Sequence, residues 1–198
     1  LACLPGDIVL LNSDTEVAPG WLDALARVAR RPGVGIACPV TDQAGPLGVF
    51  ADVPDRDLES CAARARATAG PGPVALPVAV GFCMYLRRPM LNAVGLFDVA
   101  FSPGYGEENE LSMRAWRAGF AVMGCPDALV LHAGGASFGD GEEIRRRRAL
   151  HARLLASRWP GHDSRIRDWW RDWPLRPQAT RLVTATESGR PRLLHLLH

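Results

Sequence analysis

Lysine is absent from the 198 residues, so all 23 basic side chains are arginines. They stand against 21 acidic residues, and a formal net charge of +2 supplies no bulk positive field for nucleic acid. The exclusive use of Arg fits a GC-rich coding bias, although the guanidinium fork also suits phosphate. Cysteine is sparse and irregular: Cys3, Cys38, Cys61, Cys83 and Cys125 are odd in number and never spaced C-x-x-C. Neither a zinc knuckle nor a disulfide framework is suggested, and a reducing cytoplasm is the expected compartment. Long apolar runs are missing too. The most apolar stretch, Val74 to Leu86, is interrupted by Pro77 and Gly81 and falls short of the about 20 residues that span a bilayer. Leu1 to Leu11 has no basic n-region and carries Asp7, so it does not read as a signal peptide. No internal repeat is visible.

What is present is ample apolar material. At 47% hydrophobic and 22% charged, the chain can bury a sizeable core. It begins with Leu rather than Met and opens almost directly on a strand pattern, so a piece of a longer polypeptide is expected. Asp7-Ile-Val-Leu-Leu-Asn12 reads as a strand buried on both faces. A helix follows, with Pro19 near its start, an apolar face of Trp21, Leu22, Leu25, Val28 and Ala29, and a stop at Arg31-Pro32-Gly33. Val34 to Val40 completes a β-α-β unit. Further along, the pattern predicts a helix over Asp55 to Thr68, a strand over Val74 to Arg87 and a short helix over Pro89 to Val94. A helix over Glu107 to Ala118 ended by Gly119 comes next, then two short strands at Phe120 to Met123 and Ala128 to His132. The alternation predicts an α/β domain. Residues 139–178 read as a basic and Trp-rich helical extension, and 179–198 as a linker and possible start of a further domain.

Three constellations carry candidate chemistry. Asn12-Ser13-Asp14-Thr15 closes the first strand, where a carboxylate is well placed for a hard divalent cation; the same residues also suit a turn or helix cap. Gly106-Glu107-Glu108-Asn109-Glu110 opens a helix. Its carboxylates either meet the helix dipole as a solvated first turn or crowd one another, raising one pKa toward that of a general base. His132 ends the last strand before Gly134-Gly135, either as a structural side chain or as a ligand beside Asp14.

Order and context make these three resemble one family. Asp7 through Leu22 is similar to the metal-binding strand and following helix of inverting glycosyltransferases of family 2, which have the GT-A fold. Gly81-Phe-Cys-Met-Tyr-Leu-Arg-Arg88 with Gly95-Leu-Phe-Asp98 resembles that family's acceptor-side strand and turn. Tyr105 to Leu111, continuing through Arg114 and Gly119, resembles its acidic catalytic helix, and Leu131 to Phe138 its C-terminal His loop. The resemblance covers residues 7 to about 138 and defines residues 1–138 as a partial GT-A domain. It implies a mixed sheet flanked by helices, N-terminally incomplete because the nucleotide-binding β-α-β segment should precede Asp7, with a helical C-terminal tail.

By that resemblance, Asn12 and Asp14 would hold the cofactor, Mn2+ or Mg2+, with Asn12 where a D-x-D motif has its first Asp. Asp14 and His132 would ligate the metal. Glu108, standing where Asp is commoner, would be the base, and Glu107 would orient it or touch the acceptor. The implied partners are a nucleotide-sugar donor and a glycan or lipid-linked acceptor, with transfer to an acceptor hydroxyl by inversion, in surface glycan assembly. The chain alone is expected to be a poor enzyme without its upstream segment. Arg145, Arg146, Arg147 and Arg148 either draw the protein to the inner face of an anionic membrane or form a solvated face paired with Glu142 and Glu143. Two other classes remain: a non-catalytic module of a multidomain glycan-assembly protein, and a metal-dependent hydrolase, for which further ligands are lacking.

Overall fold

The computed structural model describes residues 5–43, 45–53, 57–132 and 141–188. Its strands are β1 (Ile8–Leu11), β2 (Thr15–Val17), β3 (Val34–Val40), β4 (Val74–Ala75), β5 (Cys83–Leu86) and β6 (Ala121–His132). The order is β1-β5-β3-β6-β2, and β4 also pairs with β6. β3 and β6 run parallel, whereas β1·β5, β3·β5, β2·β6 and β4·β6 are antiparallel, so the sheet is mixed.

Seven α-helices flank it among the described residues: α1 (Trp21–Ala29), α2 (Leu58–Thr68), α3 (Arg88–Val94), α4 (Glu107–Arg117), α5 (Glu142–Arg158), α6 (His162–Asp172) and α7 (Arg176–Ser188). The spacing of Leu25, Val28 and Ala29 puts them on one buried face of α1, which packs on β3 and β6. Leu25 is fully buried beside Ile36 and Leu129 in the core, a burial that contributes about 1.5–3 kcal/mol for each side chain of this size. β3 is buried at all seven positions, as expected of a central strand covered on both faces. Gly35 lies on it because a methyl group there would come within 2.7 Å of Met90 Cγ and 2.8 Å of Phe120 Cβ.

Prolines account for two departures from the sequence expectations. The single strand expected over Val74 to Arg87 is two strands, β4 on β6 and β5 between β1 and β3, separated by the segment that contains Pro77 and Gly81. Conversely, the two strands expected over residues 120–132 are one. β6 stays continuous through a register shift at which Cys125 faces Pro39 and Leu129 faces Val40, an irregularity that accommodates Pro126 without a ladder N–H. The helix expected from Asp55 starts at Leu58, because the Asp57 side chain accepts from Ser60 N at 2.9 Å as its cap; residue 55 lies outside the described residues.

The C-terminal helices are packed onto the domain. Trp169 Nε1 donates to Ala75 O at 2.7 Å and Trp173 Nε1 to Pro46 O at 3.1 Å. α7 spans residues 178 and 179, and Leu182 within it and Leu175 just before it are buried in the main core. Gln178 Nε2 donates to Pro126 O at 2.7 Å and Ala65 O at 3.3 Å, tying α7 to β6 and α2. Residues 189–198, the end of the segment expected as a linker and possible start of a further domain, lie outside the described residues, as does Cys3. Cys38, Cys61, Cys83 and Cys125 are buried.

Candidate active site

Two strand ends bring Asp14 and His132 together. The antiparallel register sets Thr15 opposite His132, and Asp14 immediately precedes that pair. His132 Nε2 lies 3.2 Å from Asp14 Oδ1, with the two side chains 18% and 12% exposed. Both Asp14 oxygens are buried and accept no aligned hydrogen bond. A carboxylate withdrawn from water without donors is a strong candidate for a cation ligand, because burial without a partner is costly for a charged group. Asn12 contributes through its backbone: its N–H donates to Phe82 O at 2.9 Å, and its carbonyl accepts from Thr15 Oγ1 at 2.6 Å.

Asp42 was not singled out from the sequence. Buried at the end of β3, its Oδ1 accepts the His132 backbone N–H at 2.9 Å and so fixes where β6 ends. A carboxylate following the apolar run Val34–Val40 is the same signal that marked Asp14 after β1. Phe82 was missed for a different reason, since one aromatic residue near a turn carries no signal of its own. Its ring stacks on His132 with centroids 5.4 Å apart and planes 17° from parallel.

Glu108 approaches the same segment from α4. A methyl group on Gly81 would stand 3.8 Å from Glu108 Cγ, so the Gly81-Phe82 segment meets Glu108 through Gly81 and His132 through Phe82. Gly106 N donates to Glu108 Oε2 and Asn109 Nδ2 to Oε1, both at 3.3 Å. Burial, and then the charge of neighbouring Glu107, push the Glu108 carboxyl up to about 7. That is the range of a general base poised for neutral pH. Glu107 Oε2 is itself buried and unpartnered among the described residues. Of the two expectations for this acidic turn, crowded carboxylates describe it and a solvated helix start does not.

Nearby thiols do not compete as nucleophiles. Burial pushes the Cys38 thiol up to about 12, and Cys83 is also raised by burial, so both remain protonated apolar wall.

The start of α4 is held from three sides. Gly104, Tyr105 and Gly106 have φ of 139°, 73° and 114°, a succession of left-handed residues that turns the chain sharply into the helix. Tyr105 is not a glycine, and its conformation persists because α5 braces it. His151 Nδ1 lies 3.0 Å from Gly104 O and 2.9 Å from Tyr105 O, so this nitrogen carries the proton and donates to both. Arg148 covers the Tyr105 ring, its Cζ 4.3 Å from the centroid. Within the helix, Arg114 clasps the buried Glu110 (Nη2 to Oε2, 2.7 Å) and donates to Leu96 O at 2.7 Å. Ser112 Oγ donates to Glu108 O at 2.6 Å and accepts from Ala79 N at 2.9 Å, fastening α4 to the segment before Gly81.

The arginine run therefore divides its labour. Arg147 pairs with Glu143 at 3.5 Å, as helical spacing allows, whereas Arg148 covers Tyr105 in the turn before α4. Trp116 donates to Pro77 O at 3.1 Å and packs against the core. Residues 133–138 of the expected His loop lie outside the described residues.

Among the described residues no group of three or more His, Cys, Asp or Glu side chains converges as a complete metal cage. Asp14 and His132 would together offer a divalent cation one carboxylate and one imidazole, an incomplete donor set.

No protein-family model matches the chain. Uncharacterized proteins of Mycobacterium tuberculosis and Mycobacterium bovis are 29% identical over 126 residues, which is 63% of this chain and 45% of theirs. The match thus spans under half the length of those relatives. Among solved structures, a mannosyltransferase from Pyrobaculum calidifontis in complex with GDP-Man and Mn2+ superposes with a TM-score of 0.51 and 18% identity. That superposition covers 93% of this chain and 51% of the mannosyltransferase. The fold is accordingly GT-A-like, a mixed sheet flanked by helices with the strand ends of β1, β3 and β6 gathered at one candidate site.

Proposed function

We propose that this chain carries the metal-binding and proton-accepting half of an inverting glycosyltransferase that uses a nucleotide-sugar donor. One observation carries the proposal: the Gly81-Phe82 segment meets both His132, paired with a buried Asp14, and Glu108, whose carboxyl is raised to about 7. The mannosyltransferase of the same fold, with its GDP-Man and Mn2+, supports it.

Asp14 and His132 would hold Mn2+ or Mg2+, which when bound supplies Lewis-acid neutralisation of diphosphate charge. Phe82 keeps the His132 ring in plane, and Asp42 fixes its backbone. Glu108 takes the proton of the acceptor hydroxyl as that oxygen bonds to the anomeric carbon. The bond from that carbon to the diphosphate oxygen breaks, and its electron pair leaves with the nucleoside diphosphate. Attack opposite the leaving group inverts the anomeric centre. Glu107 raises the affinity of Glu108 for that proton through its charge.

The setting proposed is surface glycan assembly at the cytoplasmic face of a membrane, with turnover assigned to the whole protein. The test is transfer from a panel of nucleotide sugars with Mn2+, comparing wild type with Glu108→Gln in the full-length polypeptide. Donor binding that survives in Glu108→Gln while transfer drops by about 10²- to 10⁴-fold is the expected result. Equal transfer by both proteins would remove Glu108 from the reaction.

A further inference from the structure

Beside Glu108 lies a pocket of about 300 Å³ that the C-terminal helices close. Tyr105, Glu108 and Asn109 line it from the catalytic turn, and Arg148, Leu155 and His162 from α5 and α6. Its size is at the lower end for a small-molecule site. His162 is 7% exposed, and its Nδ1 lies 2.8 Å from Asp163 Oδ1, which places the proton on Nδ1. Nε2 of the same ring is buried and has no partner among the described residues.

We infer that this pocket receives a sugar ring of the acceptor and that His162 Nε2 accepts a hydrogen bond from one of its hydroxyls. The inference rests on the transferase reading above and names the acceptor class for it. A hydroxylated ring offers donors to both the Glu108 carboxylate and His162 Nε2, and oxygens to the Arg148 guanidinium. An alkyl chain offers none of these. It would strip water from two polar groups and return nothing, which is the costly side of hydrogen bonding. The acceptor is therefore a glycoside at the position that enters the site, whatever its remote end carries. His162 is a specificity residue here, and the proton goes to Glu108.

The wall that reads the acceptor is built by residues 141–172, outside the segment that carries the family-like motifs. His151 spends its Nδ1 proton on the Gly104 and Tyr105 carbonyls. His162, one helix further on, keeps a nitrogen for the ligand.

The experiment titrates the full chain with methyl glycosides of mannose, glucose and galactose, followed by saturation-transfer NMR and calorimetry, with 1-octanol as the alkyl control. At least one glycoside is expected to bind, and octanol not to compete. Ala152→Trp, which fills the pocket from the exposed side of α5, should abolish binding. His162→Phe should weaken it by about fivefold to tenfold and His162→Gln, which restores an acceptor, by less. Thermal unfolding of each variant shows that it is folded, and Ala152→Trp remains decisive if His162→Phe is not. No glycoside binding to wild type, undiminished binding in Ala152→Trp, or equal competition by octanol would overturn the inference. Binding of GDP-mannose or UDP-glucose with Mn2+ is measured separately. If it fails while the glycosides behave as expected, the donor assignment falls and the pocket assignment stands.

Discussion

Phe82 lies flat against His132, ring centroids 5.4 Å apart and 17° from parallel. The stack joins the ends of two chain segments far apart in sequence, since Phe82 precedes β5 and His132 closes β6. Gly81, one residue earlier, faces Glu108. The proposed cation ligands and the proposed proton acceptor thus both meet the two-residue segment Gly81-Phe82, and the predictions below probe each of them.

On the cation side, Mn2+ should stabilise the chain by mass action, about 2.7 kcal/mol at a hundredfold excess over its dissociation constant. Asp14→Asn should abolish the thermal shift, and His132→Ala should reduce it. Thermal unfolding with and without EDTA measures both, and identical shifts in all three proteins would exclude a shared ion at this position.

On the base side, the folded-state value of Glu108 is about 7 against an ordinary 4.5, so the protonated carboxyl is the form that folding favours. The associated stability is fully present below about pH 4.5 and is lost as pH rises through 7. Glu108→Gln should therefore flatten the stability profile between those values and be more stable than wild type above pH 7. Transfer by wild type should rise with pH through about 7, where the base loses its proton. Glu107→Gln removes a neighbouring charge and should move that rise to lower pH. Denaturant melts and rate profiles across pH 4–9 give the comparison.

Gly106 has φ 114°, and a methyl group there would sit 3.3 Å from Phe101 Cδ1. Gly106→Ala adds backbone strain to a crowded contact at the start of α4 and should cost about 1–3 kcal/mol. Because Glu107 and Glu108 follow directly, activity should fall more than the stability loss accounts for. Denaturant midpoints read beside transfer rates at a temperature where both proteins are folded test this.

Gly35→Ala addresses the fold without the site. The added methyl meets Met90 and Phe120 at under 3 Å, and the resulting overpacking should cost about 1–3 kcal/mol with Mn2+ affinity unchanged. Urea unfolding and a Mn2+ titration check the two halves of that statement.

The parts of this architecture legible in the sequence are those written in local patterns. The Ile8–Leu11 strand, the Leu25, Val28 and Ala29 face of α1 and the Gly106 to Gly119 bounds of α4 each follow from residue order alone. However, β1 is an edge strand with Leu11 exposed, not one buried on both faces, and Leu22 is exposed rather than part of the packed face. Long-range pairing is what local patterns lack. Pro77 and Pro126 look alike as strand breakers, yet the first lies between two strands and the second is absorbed into β6, because continuous pairing with β3 and β2 holds β6 on either side of it. Thr15–Val17 resembles a turn until His132 is placed opposite it. The candidate site was legible as Asp14, Glu108 and His132. Phe82, Asp42 and His151 were not, since each is placed by a partner distant in the chain.

β2 is three residues long and, among the described residues, pairs only with the last three of β6. Local opening is easiest at such short, marginal pairings, well below the free energy of global unfolding. Asp14 sits on the near side of that pairing and His132 within it, so peeling β2 away separates the two side chains. If Asp14 and His132 share a cation, as proposed, pairing of β2 with β6 and binding of that cation are thermodynamically coupled. The amides of Thr15 to Val17 would exchange with solvent through local opening in the cation-free chain and become protected when the ion binds, while the central amides of β3 exchange only with the whole domain.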